Sequence, residues 1–249
     1  MSIVVYADFT CLGCYLAARR TDALAAAGES VDFRAVERRP ELPVTGVRLS
    51  AADQDTLRAR YKTLQELLLP GEQLPWSPPL LTPKSEASVS AYAEAYRSPA
   101  TGDVRRLLFE LYWREGADIG SPNVLRKPLA GPILRCGSDA DPLRQIGYAV
   151  SVGRSPITTG AVRRVRAWRA EWRDLGRSEL PVVCVDGATL SGIAAVRRLG
   201  KDIAGAGVKV DPDLPDPRRY PHVAGRPSAT WISQIGGRWR AAYRPGGIA

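Results

Sequence analysis

Two cysteines with two residues between them, Cys11-Leu12-Gly13-Cys14, are the part of this sequence best suited to chemistry. They follow a β-branched and aromatic run, Ile3-Val4-Val5-Tyr6, and open an Ala-rich stretch of helical character that Gly28 closes. A helix N-terminus leaves amide groups unpaired and carries partial positive charge, so it favours a thiolate at the first cysteine. Residues three apart stack on one helix face, a separation that suits a reversible disulfide. In that arrangement Cys11, at an exposed helix tip, attacks a substrate sulfur and Cys14, one turn in, resolves the mixed disulfide. Half of a zinc site and an inert pair of core cysteines are the competing readings. Cys136 and Cys184 lie far apart in the sequence and His222 is the only histidine, so no metal site is expected.

The elements that must position this pair read as α/β. Val31 to Val36 alternates, with Val31, Phe33 and Ala35 on one side and Asp32 and Arg34 on the other. Two strands flanking one helix predict a βαβ unit with a parallel pair. Residues 47 to about 157 then change character and predict an all-helical block. Helical spacing appears at 51–69, 85–96 and 103–115, with a proline-rich loop around Trp76 between the first two. Ser121-Pro122 and Asp141-Pro142 each read as an N-cap followed by proline. The α/β pattern returns with a helix over 159–175, a strand over 180–185, a tight turn at Asp186-Gly187 into 188–190, and a helix over 193–203. Beyond about 211 lies a Pro/Gly-rich extension whose 230–235 and 238–243 segments flank Gly236-Gly237 as a β-hairpin.

With these elements in order, the chain resembles the thioredoxin superfamily, and within it the DsbA-like branch of the intracellular FrnE type. The matching stretches are Asp8 to Ala17 around the cysteine pair, Leu107 to Gly120, and Leu180-Pro181-Val182-Val183-Cys184-Val185-Asp186-Gly187 with Leu190-Ser191-Gly192. The likeness spans about residues 3–205. It implies a thioredoxin fold built from residues 1–46 and 158–210, interrupted by a helical insertion at 47–157 and followed by the 211–249 extension. It implies a catalytic Cys11 and Cys14, and a cis Pro181 that lies against the pair. Leu180 would meet an extended substrate through its backbone, and the Leu12-Gly13 dipeptide would form part of the substrate contact. No bound cofactor is implied beyond the Cys11–Cys14 disulfide itself, with a glutathione-like thiol as co-substrate. The chain departs from the family in carrying Leu-Gly where members often carry Pro-Trp or Pro-His.

Composition sets the remaining bounds. The 249 residues are 45% hydrophobic and 24% charged, enough to bury a core without disulfide staples. The net charge is +9, and five lysines against thirty arginines make the basic side almost wholly guanidinium. Neither a secretory leader nor a membrane span is legible, which places the protein in the cytoplasm. The partners expected are protein, peptide or small-molecule thiols and disulfides, with a homodimer allowed for and nucleic acid disfavoured. Two other classes compete: a glutathione-dependent isomerase that needs a single thiol, and a non-catalytic binding module using the tail or the arginines of the 159–175 helix. Cys184 is read as a buried small hydrophobe, Cys136 as a plain unpaired thiol, and Asp8 as a turn residue close enough to influence Cys11.

Overall fold

The computed structural model describes residues 2–75, 79–135, 148–176 and 178–208. Trp76, Cys136, Asp141, Arg177, His222 and the hairpin expected in the tail lie outside the described residues. Strand β1 (Ser2–Ala7) runs straight into the cysteine motif, helix α1 (Leu12–Ala26) carries it, and β2 (Ser30–Ala35) returns parallel to β1. This is the βαβ unit that the alternating patterns demand.

The block that follows contains β3 (Val47–Arg48), α2 (Ala51–Gln65), β4 (Leu81–Thr82), α3 (Glu86–Ala95), α4 (Thr101–Trp113) and α5 (Pro122–Arg135). Among the described residues it is helical except for one short antiparallel ladder, Val47 opposite Thr82 and Arg48 opposite Leu81, which the sequence reading did not foresee. Gly46 permits it: its φ is +68°, and a Cβ there would stand 2.7 Å from the carbonyl oxygen of Thr82. Ser50 opens α2 with a reciprocal capping box to Asp53.

The chain then rejoins the sheet through α6 (Thr159–Asp174), β5 (Val182–Val185), β6 (Ala188–Ser191) and α7 (Gly192–Gly205). The sheet order is β2-β1-β5-β6, with β5 antiparallel to β1 and β6 antiparallel to β5. The β5–β6 turn uses positive φ at both central residues, 50° at Asp186 and 77° at Gly187, as a two-residue hairpin requires. Among the described residues no helix is long and apolar enough to cross a membrane.

Aromatic contacts join the insertion to the sheet, to the turn after β1 and to α6. Phe9 and Phe109 rings lie 4.9 Å apart, Phe33 and Tyr92 5.5 Å, and Tyr96 and Trp168 5.0 Å. Two polar contacts fix the motif's approach directly: Trp113 Nε1 donates to the Phe9 carbonyl at 3.0 Å, and Ser85 Oγ to Asp8 at 2.9 Å. The insertion thus clamps the two residues that lead from β1 into the cysteine turn. On the other side of α1, Arg20 is fully buried and forms a two-pronged ion pair with Glu72, through Nε at 2.8 Å and Nη2 at 2.6 Å. Its remaining donors reach the carbonyls of Val196 at 2.6 Å and Leu67 at 2.5 Å, tying α1 to α7 and to the end of α2.

Candidate active site

Cys11 is the N-cap of α1, with φ −107° and ψ 121°. Its amide closes a turn onto the carbonyl of Asp8 at 3.1 Å, so the sulfur stands at the helix tip where the unpaired amides gather. Contrary to the sequence expectation, this tip is not exposed: Cys11 keeps only 6% of its surface and Cys14 none. The cover comes from the loop before β5, 169 residues away in sequence, whose Leu180 carbonyl oxygen accepts from Cys11 Sγ at 3.5 Å. The Leu180–Pro181 peptide is cis. Leu12 and Leu180 are buried beside the thiol at 4% and 1% exposure.

Gly13 has a reason to be glycine. A Cβ there would stand 3.3 Å from Pro181 Cδ, a tight contact that the proline loop would have to yield to by a few tenths of an ångström. Gly192 holds the loop from below, its amide donating to the carbonyls of Glu179 at 2.8 Å and Pro181 at 2.9 Å.

Both motif cysteines are free thiols, and their environments drive them apart. Cys11 is lowered to about 7, first by hydrogen bonding from the Cys14 side chain, which outweighs the opposing effect of burial, and then by the charge of Arg38 and the Cys14 amide. Cys14 is pushed well up, chiefly by burial and by its bond to Cys11. One thiol is therefore poised as a nucleophile and the other holds its proton until it is needed.

Asp8, read as a turn residue, is completely buried and saturated. Its Oδ1 accepts from the amide and hydroxyl of Thr10 at 2.7 Å each, and its Oδ2 from the Arg38 amide at 2.7 Å and Ser85 Oγ at 2.9 Å. Its negative charge opposes the Cys11 thiolate, and Arg38 offsets it. The sequence reading missed Arg38. The clue lies in the topology: β1 and β2 are parallel, so residues leaving their carboxyl ends share one edge, where such sheets build sites.

Cys184, expected in the core, is half-buried on β5 with Thr189 Oγ1 at 3.7 Å. It pairs with Val4, and that face of the strand is only partly covered. Among the described residues no group of three or more His, Cys, Asp or Glu side chains gathers where a metal ion could be held.

Glu37 lies in the inward phase of β2, after Phe33 and Ala35, with its side chain 2% exposed. Burial, seconded by the nearby Glu86 and Asp8 charges, pushes it up to about 7 against the opposing Lys84 and Arg169. A carboxyl raised on folding has its full stabilising effect below the unfolded value near 4.5, and loses it as pH climbs through about 7. Relative to Glu37→Gln, the native chain should lose roughly 3 kcal/mol of stability across that window. Urea midpoints of both proteins from pH 5 to 8 test this, and a constant difference at every pH would refute it.

No protein-family model and no curated protein matches the chain. Solved structures do. A probable DsbA oxidoreductase from Streptomyces coelicolor is similar at 18% identity and TM-score 0.60, over 83% of this chain and 90% of that one. A 2-hydroxychromene-2-carboxylate isomerase is similar at 18% identity and TM-score 0.55, over 83% of this chain and 95% of that one.

Proposed function

We propose that this chain, whose fold is the DsbA-like thioredoxin fold with a helical insertion, is a thiol–disulfide oxidoreductase that works through Cys11 and Cys14. The observation that carries the proposal is the placement of the pair, with Cys11 at the N-cap of α1 against the Leu180 carbonyl and Cys14 fully buried one turn in, where the first thiol is lowered to about 7 and the second raised. In the reducing direction the Cys11 thiolate attacks one sulfur of a substrate disulfide. The substrate S–S bond breaks, a protein–substrate mixed disulfide forms, and the other substrate sulfur leaves as a thiolate that takes up a proton. Cys14 then gives up its proton and attacks Cys11 Sγ, expelling the second substrate sulfur as a thiol. Two electrons have passed to the substrate and the protein holds a Cys11–Cys14 disulfide. Two molecules of a glutathione-like thiol can return it to the dithiol, leaving as their own disulfide.

Pro181 keeps the loop against Gly13 without an amide hydrogen of its own, and the backbone of Leu180 is the strand edge offered to an extended substrate. The Leu180 carbonyl bonds to Cys11 in the resting dithiol, so substrate entry would exchange that contact for one with its own backbone. Leu12 and Gly13 form the adjoining wall. The cysteine pair itself stores the electrons, so the chemistry calls for no bound cofactor.

A redox titration against defined thiol/disulfide buffers, read by alkylation and peptide mass mapping, tests the reading. Cys11 and Cys14 should convert together as one two-electron couple. Conversion of Cys11 alone into a mixed disulfide, with Cys14 open to alkylation throughout, would favour the single-thiol isomerase class instead.

A further inference from the structure

We propose that Arg38 is a substrate-binding residue: it holds a carboxylate that the substrate carries close to its reacting sulfur. This rests on the thiol-exchange reading and narrows its substrate class. The backbone of Arg38 is anchored to the site, because its amide and the Thr10 amide both end on the Asp8 carboxylate while the Asp8 carbonyl takes the Cys11 amide. Its side chain is exposed, and its charge reaches Cys11 and Cys14. Among the described residues no carboxylate pairs with that guanidinium. Asp8, the acid whose charge acts on it, is buried and spends both oxygens on four other donors. Glu37, the next residue back, is turned inward, where it meets Arg169 at 3.3 Å.

The neighbouring Arg39 is less free, because its charge also acts on the exposed Asp53. Its Nε is buried with no hydrogen-bond partner among the described residues, and both guanidiniums act on Tyr112, whose hydroxyl donates to the Leu81 carbonyl at 3.1 Å. The acids beside Arg38 are thus spent or turned inward, which leaves its guanidinium for an incoming anion. An arginine fork without a partner is well shaped to take a carboxylate by two parallel bonds. Cys11 keeps only 6% of its surface, so the reacting sulfur must enter a narrow opening, and a carboxylate on Arg38 has to lie within a few bonds of it. The same cation stabilises the negative charge that develops on the leaving sulfur.

The test uses the full-length protein and three small symmetrical disulfides: dithiodipropionate with two negative charges, hydroxyethyl disulfide with none, and cystamine with two positive charges. A parallel pair of disulfide peptides carries Asp or Asn beside the cysteine, and distinguishes a peptide source of the carboxylate from a small-molecule one. The native protein should favour the acidic member of at least one set by about 10- to 100-fold in kcat/KM at low ionic strength. Arg38→Gln should slow every substrate, because Cys11 loses a cation, while the charge preference falls toward one. Arg38→Glu should reverse the preference, and Arg38→Lys should retain part of it. The set showing the preference identifies the source. Equal rates in the native protein, or a preference that survives Arg38→Gln and Arg38→Glu, overturns the proposal. Turnover of neutral hydroxyethyl disulfide by the native protein reports on thiol exchange separately, so failure of that reading is distinguishable.

Discussion

Replacing Cys11 with serine is expected to lower the rate of disulfide exchange by on the order of 10,000-fold or more, because a serine hydroxyl is un-ionised near neutrality where this thiol is about half thiolate. The Cys14 variants should behave differently. Cys14→Ser leaves the nucleophile and removes the resolving sulfur, so the protein should stall as a stable mixed disulfide with one substrate fragment, seen by mass. The native exchange rate should rise about tenfold per pH unit below about pH 7 and level off above it, following the Cys11 thiolate. Cys14→Ala should shift that midpoint upward, because the hydrogen bond from Cys14 is the largest influence lowering Cys11, whereas serine retains a donor and should shift it less. Full exchange activity in Cys11→Ser would remove the basis of the proposed function. Steady turnover by Cys14→Ser at the native rate would move the chain to the single-thiol isomerase class.

Much of this site was legible because local rules and the fold agree. The β-branched run of β1, the alternation of β2 and the Asp186-Gly187 turn each specify one backbone form, and together they leave few ways to join the elements. What escaped depended on segments far apart in sequence. The resemblance set Pro181 against the pair, but nothing local to Cys11 reveals that the Leu180 carbonyl covers its sulfur, since the β1–β5 pairing brings the two segments together. The β3–β4 ladder, two residues long on each strand, is too short to leave a periodic signature. Two misses did leave a trace. Glu37 continues the inward phase of Phe33 and Ala35, an early sign of a buried carboxyl. Arg20 falls between Leu16 and Leu24 at four-residue spacing on the buried stripe of α1, where an arginine has no place unless something distant satisfies it.

That something is Glu72, and the pair carries the largest stability prediction. Both side chains are 1% exposed, and the guanidinium makes four hydrogen bonds, two of them to this one carboxylate. Two charges buried together need not add net stability, but removing one strands the other. Glu72→Met should therefore cost about 3–5 kcal/mol in urea denaturation. Arg20→Met should cost less, and progressively less as the pH is lowered, because a stranded carboxylate can be relieved by protonation whereas a guanidinium stays charged. Glu72 also accepts from the Leu69 amide at 2.7 Å, which gives it a partner after the arginine is gone. The double replacement should recover much of the loss, since apolar side chains of similar length fill the space without an unpaired charge. Gly200 limits how freely the site can repack: a Cβ there would stand 2.8 Å from Arg20 Nη1, so α7 approaches α1 closely at that point. Additive losses in the double variant, or a loss below about 1 kcal/mol in Glu72→Met, would show that the pair is not buried as a coupled unit. Neither Arg20 nor Glu72 is among the groups that shift Cys11, so in the folded fraction of each variant Cys11 should still titrate near 7, separating damage to the scaffold from damage to the site.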